Sequence, residues 1–487
     1  MSETDIVIVG GGIAGLTAAN RAAQLGLKAL VLEKGTEDKY LCNTRYTGGT
    51  LHVCMSDIMS GEDALLEKIQ SICADVARPD LARAIAKDAE RAVRWLQGEG
   101  CKFLKASASP HHRWVLAPPG RTRPGLDWEG RAGDVLLRRL GGNLEERGGK
   151  LLRGIRATRL LLEEGRSVGV AAEVEGREIE YRANAVVIAD GGFQSSPEHL
   201  AEFITPDPSK LFQRNAESGT GDGLRMAAAV GADLRGMDRF YGHLLSIDAP
   251  HRERLWPYPY LDALVVAGIL VGSDGKRFCD EGMGGVYATN CVAQLSDPLS
   301  STVIFDHEIW EKTGKQGLIS TNPHLPNEGG TLHIADTLEA LAEKIGLSNT
   351  VISDRVLFQT VDYYNTALDN GTLSALSPSR STVKGGPQPI RTPPFYAAPT
   401  RAGITYTMGG IAIDADARAL RPDDTIIEGL YAAGAATGGL EGGANVGYVG
   451  GLSKSAITGL RAAEHAAAQN VKADQILFFA DAREPVV

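Results

Sequence analysis

The stretch DIVIVGGGIAGLTAANRAAQLGLKALVLE, residues 5–33, decides the fold of this chain. It opens with an apolar run too short for a helix, which predicts a strand buried on both faces in a parallel sheet. Gly10, Gly12 and Gly15 follow in the order G-x-G-x-x-G, at the start of an alanine-rich helical pattern. A second apolar run ends at Glu33. Together, strand, glycine turn, helix and acidic strand end predict a dinucleotide-binding unit.

Each residue of this motif has a physical role in holding a dinucleotide. Gly10 permits the tight turn, Gly12 lets the pyrophosphate approach the backbone, and Gly15 lets helix and strand pack closely. The N-terminus of the helix offers unpaired N–H groups and the positive end of the helix dipole. Because Glu33 ends the second strand, it is placed to accept hydrogen bonds from the ribose hydroxyls.

The remaining sequence predicts an inserted domain. Alternating apolar residues across 155–190 predict a layer of hairpins, and the sequence across 240–390 is aromatic and proline-spotted with two amphipathic helices. Glycine-rich strand and helix patterns then return. We therefore predict an α/β fold in which a Rossmann-type domain carries an inserted α+β cap domain for substrate. The predicted segments are 1–240 for the first part of the nucleotide domain, 241–395 for the cap and 396–487 for the completing part.

The composition favours a small molecule as partner. The formal net charge is −10 without any run of Lys and Arg, which argues against nucleic acid or an anionic membrane surface. The six cysteines are scattered without CxxC spacing, which predicts reduced thiols. The first residues lack a signal-peptide pattern, and no apolar run reaches the roughly 18 residues needed to span a bilayer. We expect a cytoplasmic protein with no nucleic-acid partner and no membrane span.

Seven motifs extend the argument along the chain. They are VGGGIAGLTAA at 9–19, NTRYTGG at 43–49, VVIADGGF at 186–193, GTGDG at 219–223, GKRFCDE at 275–281, TMGG at 407–410 and GLYAAGAATGG at 429–439. In this order they resemble the flavoprotein superfamily of fumarate reductases, tricarballylate dehydrogenases and 3-ketosteroid dehydrogenases. The resemblance implies FAD as the dinucleotide. It also implies non-covalent binding, since no histidine lies in a motif for covalent flavin attachment.

The resemblance carries further cofactor contacts onto this chain. One position departs from the family pattern, because Ala435 stands where a glutamate is frequent, which weakens one contact to the ribityl chain. Besides Gly10, Gly12, Gly15 and Glu33, the implied FAD-binding residues are Lys34, Thr44, Thr47, Gly48, Gly49, Ala157, Asp190, Gly191, Thr220, Asp222, Gly434, Leu452 and Ser453.

The expected reaction follows from the positions where the chain departs from the fumarate reductases. No arginine follows Asp280–Glu281, Glu441 stands where those enzymes have histidine, and Tyr448 stands where they have arginine. A carboxylate-clamping fumarate reductase is therefore not expected.

Tyr287 and Tyr448 stand where those enzymes have arginine, as in the ketone desaturase branch that the chain resembles. That resemblance implies that Tyr287 takes a proton beside a ketone while flavin N5 accepts hydride from the neighbouring carbon. Tyr448 and an N–H near Gly451 or Leu452 would donate hydrogen bonds to the ketone oxygen. A base of this kind needs a lowered pKa or a relay, because an ordinary phenol has a pKa near 10. Three further side chains are expected to line the substrate pocket: Tyr241, His243 and Tyr258.

Two alternatives stay open. In a tricarballylate- or fumarate-type enzyme, an arginine of the cap such as Arg277, Arg391 or Arg401 would hold a carboxylate. The chain could also be an electron-transfer subunit or flavin scaffold of a larger complex. Because the sequence shows no haem or iron–sulfur ligands, an enzymatic function requires an external electron acceptor, which could be oxygen, a quinone or a protein.

Overall fold

The computed structural model describes residues 4–73, 75–117, 131–251, 259–317, 320–346 and 353–481. Within these ranges, only the backbone is described for residues 353, 354 and 471–481. Tyr258, expected in the substrate pocket, lies outside the described residues.

The helices follow the periodic segments of the sequence, and the amphipathic patterns near 337–345 and 353–368 are confirmed as helices. In chain order they are α1 (Ile13–Gln24), α2 (Asn43–Tyr46), α3 (Glu62–Cys73), α4 (Pro79–Gly98), α5 (Ala132–Glu146), α6 (Pro197–Phe203), α7 (Asp222–Ala229), α8 (Asp262–Ala267), α9 (Gly285–Ala293), α10 (His307–Lys312), α11 (Thr321–Asn327), α12 (Leu338–Lys344), α13 (Ser353–Asp369) and α14 (Gly451–Asp481).

The strands include the two buried runs of the opening motif and the predicted hairpins. In chain order they are β1 (Ile6–Val9), β2 (Ala29–Glu33), β3 (His52–Val53), β4 (Ser56–Asp57), β5 (Phe103–Leu104), β6 (Val115–Leu116), β7 (Lys150–Arg153), β8 (Arg156–Glu163), β9 (Arg166–Val174), β10 (Arg177–Arg182), β11 (Ala185–Ile188), β12 (Phe212–Gln213), β13 (Leu234–Arg235), β14 (Phe240–Ser246), β15 (Ile269–Val271), β16 (Thr302–Asp306), β17 (His333–Ala335), β18 (Phe395–Thr407), β19 (Gly410–Ala412), β20 (Arg418–Leu420), β21 (Ile426–Ala432) and β22 (Thr437–Gly438).

A six-stranded sheet with the order β20-β21-β11-β1-β2-β7 holds the opening motif. β1 pairs in parallel with β11 on one side and β2 on the other, so its apolar residues are buried as a central strand requires. Only β20, at one edge, pairs antiparallel with its neighbour β21. α1 packs against α14, where a Cβ on Gly459 would lie 2.5 Å from the carbonyl oxygen of Ala14. The C-terminal helix therefore covers the helix of the nucleotide motif.

The layer of hairpins predicted across 155–190 is an antiparallel sheet of β8, β9 and β10. A second large sheet is built on the long strand β18, which pairs with β12, β14, β16 and β17, while β15 extends it beyond β16. Helices α8, α9, α12 and α13 pack around this sheet and share a second apolar core with it.

The two apolar cores follow the two large sheets. One contains β1, β2, β11, α1 and α14, and the other contains β14, β16, β18 and their helices. The predicted domain boundaries at 240/241 and 395/396 fall at the first residues of β14 and β18, and they stay predictions.

Candidate functional site: two adjoining cavities

The glycine turn after β1 has the geometry that a dinucleotide site needs. Gly10 has φ +102°, a conformation that favours glycine, and a Cβ there would lie 2.6 Å from the carbonyl oxygen of Ala189. A Cβ on Gly15 would lie 2.0 Å from the carbonyl oxygen of Gly10, so only glycine lets α1 approach the turn. Helix α1 then begins at Ile13, with Gly12 preceding it.

The carboxylate of Glu33 is fixed beside this turn. Its Oε2 accepts a hydrogen bond from the N–H of Gly11 and its Oε1 accepts one from the N–H of Gly35, both at 2.8 Å. Each carboxylate oxygen has a second lone pair, so these bonds leave acceptor capacity for ribose hydroxyls. Glu33 is buried and lines the cavity that opens at the turn.

That cavity, the first cavity, lies at the carboxyl ends of β1, β2 and β11, where open α/β sheets bind their ligands. The structure brings many of the predicted cofactor residues together there. Those that line it are Gly10, Gly12, Glu33, Lys34, Thr44, Ala157, Asp190, Gly191 and Asp222.

The other predicted cofactor residues do not belong to this lining. Thr220 accepts a hydrogen bond of 2.7 Å from Lys34 Nζ. Ser453, in the first turn of α14, bonds to the backbone of His52 through its hydroxyl. The residues that do not line the first cavity are Gly15, Thr47, Gly48, Gly49, Thr220, Gly434, Leu452 and Ser453.

Asp222 is the centre of an ionic cluster at the rim. Lys34 Nζ lies 3.2 Å from its Oδ2 and Arg156 Nη2 lies 2.7 Å from its Oδ1. Burial raises the pKa of Asp222, but the hydrogen bond from Arg156 and the charge of Lys34 outweigh it, so the net shift is downward. The carboxylate is therefore ionised and keeps two cations beside the cavity.

Two buried oxygens of the first cavity have no hydrogen-bond partner among the described residues: Gln194 Oε1 and Asp190 Oδ1. Buried polar atoms are normally paired, so these two oxygens fit a site completed by a ligand's donors. Burial also raises the pKa of Asp190 to about 6. A helix N-terminus, a buried carboxylate with acceptor capacity to spare and unpaired acceptors together match what FAD requires.

A second cavity, of about 510 Å³, lies between α8, α9 and the loop before α14. Its volume is within the range of about 300–1,000 Å³ usual for small-molecule sites. One short segment joins the linings of the two cavities, because Tyr448, just before α14, lines the second and Ser455, within α14, lines the first. No arginine is among the described residues that line it. Those residues include Cys54, Met55, Ile72, Tyr241, His243, Asp262, Val266, Met283, Val286, Tyr287, Lys384, Gln388 and Tyr448.

Tyr448 is held by the helix that follows it. Its hydroxyl oxygen accepts a hydrogen bond of 3.1 Å from the N–H of Gly451, the first residue of α14. Tyr448 and Gly451 were both predicted to donate to the ketone oxygen. In the structure the N–H of Gly451 donates to Tyr448 instead. Burial raises the pKa of Tyr448, so its phenol stays protonated.

Tyr287 lines the same cavity from α9, and its partner is a thiol that sequence reasoning did not find. Cys291, one helical turn further on, interacts with the Tyr287 hydroxyl and with Cys279. Burial, followed by the charge of Cys291, raises the pKa of Tyr287. The lowered pKa that a general base would need is therefore not found.

Glu441 is an anchor for the loop that carries Tyr448. It is fully buried, forms an ion pair with Lys454 and accepts a hydrogen bond of 3.0 Å from Tyr406. Its Oε1 also accepts from the N–H groups of Val449, at 2.8 Å, and Gly450, at 3.2 Å. The replacement of histidine noted in the sequence therefore places a structural carboxylate behind the site.

The three arginines considered as carboxylate clamps do not line the second cavity. Arg277 is buried in an ion pair with Glu281. Arg391 pairs with Asp369, and Arg401 lies on β18 with its pKa lowered by burial.

Sequence reasoning also missed Gln194 and Ser455 in the first cavity, and Asp262 and Lys384 in the second. None of these four residues belongs to a recognisable spacing. They reach the cavities only through tertiary packing.

The nucleotide cavity and the adjoining tyrosine-lined cavity define the class of FAD-dependent oxidoreductases. The chain belongs to the FAD binding domain family, whose model matches residues 5–450. The resemblance inferred from the motifs is thereby confirmed, and FAD is the cofactor.

The chain is similar to enzymes of both branches. It is 25% identical to the 3-oxosteroid 1-dehydrogenase of Mycolicibacterium smegmatis over 89% of this chain and 91% of that protein. It is 25% identical to the probable fumarate reductase Ifc3 of Shewanella frigidimarina over 90% of this chain and 71% of the relative. It is also 27% identical to the NADH:acrylate oxidoreductase of Vibrio harveyi over 76% of this chain, but spans only 35% of that protein.

Solved structures show the same fold. The 3-ketosteroid Δ1-dehydrogenase of Sterolibacterium denitrificans matches 96% of this chain and all of its own, with a TM-score of 0.71 and 22% identity. A flavocytochrome c3 fumarate reductase matches 96% of this chain and 78% of its own, with a TM-score of 0.64 and 23% identity. Across the described residues, none of the helices combines the length and apolar character needed to cross a membrane.

Proposed function

We propose that this protein interconverts the saturated and α,β-unsaturated forms of a carbonyl compound, with the ketone addressed by tyrosines. The observation that carries the proposal is the lining of the second cavity. Tyr241, Tyr287 and Tyr448 converge there, and arginine is absent from its described lining. A ketone needs donors to one oxygen rather than a cationic fork for a carboxylate.

Bound FAD would supply the two-electron redox chemistry at one carbon of the reacting bond. The chain must then handle the proton at the neighbouring carbon and the charge that develops on the carbonyl oxygen. The segment from Tyr448 to Ser455, whose two ends line the second and the first cavity, is where these tasks would meet.

Tyr448 is the proposed donor to the carbonyl oxygen. Because Gly451 N–H donates to its oxygen, the phenolic hydrogen of Tyr448 remains available for the substrate. A hydrogen bond received at the oxygen polarises the O–H group and strengthens its donation. The raised pKa supports this role, since an oxyanion is stabilised by a protonated donor.

Tyr287 is proposed as a hydrogen-bond donor that contacts the substrate in its protonated form. Its raised pKa keeps the phenol protonated at neutral pH, so the hydroxyl can donate a hydrogen bond to the substrate but does not serve as the base. Desaturation of the same substrate class would require a base that can pass the proton on to a neighbouring group.

The wall of the cavity favours an apolar substrate with one polar end. Met55, Ile72, Val266 and Val286 supply the apolar surface. A cyclic or steroid-like ketone fits this lining. An unsaturated carboxylate is the second candidate, because the ammonium of Lys384 lines the cavity and could hold an anion.

The proposal extends to the electron acceptor and to the cellular compartment. We propose a cytoplasmic protein that exchanges electrons with an external partner, in keeping with its six free cysteines.

The test is an anaerobic redox assay on the FAD-loaded protein, followed by the visible flavin band. Chemically reduced protein is mixed with cyclohex-2-enone, 4-androstene-3,17-dione, acrylate or fumarate. We expect an enone to reoxidise the flavin and the two carboxylates to leave it reduced. Reoxidation by a carboxylate alone, lost in Lys384→Met, would assign the second candidate instead.

A further inference from the structure

We propose that Asp262, His243 and Tyr241 form a proton relay in which Tyr241 exchanges the proton with the substrate carbon, an inference that rests on the proposed function. All three residues line the second cavity. Asp262 and His243 are positioning residues in this scheme, because they act on the substrate through Tyr241.

The geometry of the relay is continuous. Asp262 Oδ2 lies 2.7 Å from His243 Nδ1, and His243 Nε2 lies 3.1 Å from the hydroxyl of Tyr241. The other carboxylate oxygen of Asp262 accepts from the N–H of Leu244 at 2.9 Å. A carboxylate only accepts, so the Nδ1 of His243 carries the proton and its Nε2 is the acceptor for Tyr241.

A glycine makes room for the carboxylate. A Cβ on Gly285, the first residue of α9, would lie 2.1 Å from Asp262 Cγ and 2.5 Å from its Oδ2. Any side chain at this position would push Asp262 away from His243. The hydrogen bond between Asp262 and His243 therefore depends on the absence of a side chain at Gly285.

The ring stacking fixes the relay on both sides. The His243 imidazole lies 3.9 Å from the Tyr260 ring with an interplanar angle of 1°, and Tyr241 stacks on Tyr448 at 3.9 Å. Tyr241 therefore stands beside the proposed carbonyl donor.

In the oxidative direction, the C–H bond beside the carbonyl breaks and its electron pair stays on the substrate as an enolate. Tyr241 takes the proton as its own proton passes to His243 Nε2, and Asp262 stabilises the imidazolium. The enolate electrons then form the double bond as a hydride leaves the next carbon, for which bound FAD would be the acceptor. Reduction reverses each transfer. The relay therefore supplies the proton acceptor that the protonated Tyr287 does not provide.

The charged and titratable groups facing His243 are Asp262, Arg214, Tyr241 and Tyr260. Burial lowers the pKa of His243, while Asp262 opposes the shift. The imidazole is therefore neutral at pH 7 and can accept a proton.

The kinetic test uses FAD-loaded protein, reduced anaerobically and mixed with cyclohex-2-enone or 4-androstene-3,17-dione between pH 5 and 9. We expect Tyr241→Phe and His243→Gln to slow reoxidation by about 10²-fold or more, and His243→Gln to flatten the pH profile. Gly285→Ala should act like Asp262→Asn. The matched controls are Tyr363→Phe, at an exposed position of α13, and Gly98→Ala, whose Cβ meets nothing within 4 Å.

A second readout does not need turnover. In histidine-labelled holoprotein, ¹⁵N NMR should show His243 protonated at Nδ1 with a bare Nε2, and Asp262→Asn should change this tautomer. Protonation at Nε2 in the wild type would overturn the relay. So would unchanged rates in Tyr241→Phe when the wild type reacts. A wild type that neither enone reoxidises would instead refute the proposed function, with the relay then judged by the tautomer alone.

Discussion

The rings of Tyr241 and Tyr448 lie 3.9 Å apart with an interplanar angle of 19°, so the two phenols form a stacked pair on the wall of the second cavity. Their hydroxyls have different partners. Tyr448 accepts from the N–H of Gly451, while Tyr241 contacts His243. The pair therefore presents one hydroxyl prepared to donate to an oxygen and another connected to a base.

Removing the Tyr448 hydroxyl should remove stabilisation of the developing oxyanion. We expect Tyr448→Phe to lower the rate constant for flavin reoxidation by an enone by about 10²–10³-fold. The phenylalanine ring keeps the stack on Tyr241, so FAD content should not change. Stopped-flow absorbance measures the rate, and an unchanged rate constant would remove Tyr448 from the mechanism.

FAD binding should weaken when a side chain is added at Gly15 in α1. A Cβ at that position would lie 2.0 Å from the carbonyl oxygen of Gly10, which forces the turn and the helix apart. We expect Gly15→Ala to be purified with little FAD and to rebind it weakly. Gly141→Ala is the control, because its Cβ in α5 meets nothing within 4 Å. Equal FAD content in the two variants would show that the turn is not required.

The buried Glu441–Lys454 pair should be costly to break from one side. Glu441→Gln leaves the ammonium of Lys454 without its counter-charge, and we expect a loss of about 3–5 kcal/mol in unfolding free energy. Denaturant titration measures it. Glu308→Gln, at an exposed pair with Lys312, is the control and should change stability little. Restoration of much of the loss in Glu441→Gln/Lys454→Met would confirm the unpaired charge as the cause.

His52 should make the fold sensitive to acid. Burial, with the charges of His111 and His112, lowers its pKa from 6.5 to about 3. Between these values the unfolded chain binds the proton and the folded chain does not, so stability is lost as pH falls. The slope from this group is at most about 1.4 kcal/mol per pH unit. We expect the stability difference between wild type and His52→Asn to narrow between pH 7 and pH 5. A constant difference would mean that His52 titrates normally in the fold.

The sequence predicted the parts of the fold that depend on short-range patterns. Gly10, Gly12 and Glu33 lie within one strand–helix–strand unit, so their spacing alone placed them around one cavity, while Gly15 packs α1 against the turn. The hairpin layer and the helices of the cap followed from residue periodicity in the same way.

The second cavity depended on packing between segments far apart in the chain. Asp262 meets His243 because α8 follows β14 into the same cavity, and no spacing rule predicts that contact. Tyr287 was identified from its motif, but its partner Cys291 and its raised pKa depend on burial within α9. The histidine-to-Glu441 replacement was visible in the sequence, whereas its ion pair with Lys454 required the fold.

The most direct test of the central claim is the reoxidation of anaerobically reduced, FAD-loaded protein by paired enone and carboxylate probes, in wild type and Tyr448→Phe. We expect reoxidation of the wild type by cyclohex-2-enone or 4-androstene-3,17-dione, a slower reaction in the variant, and none with fumarate or acrylate. Reoxidation by fumarate or acrylate alone, at equal rates in both proteins, would contradict it.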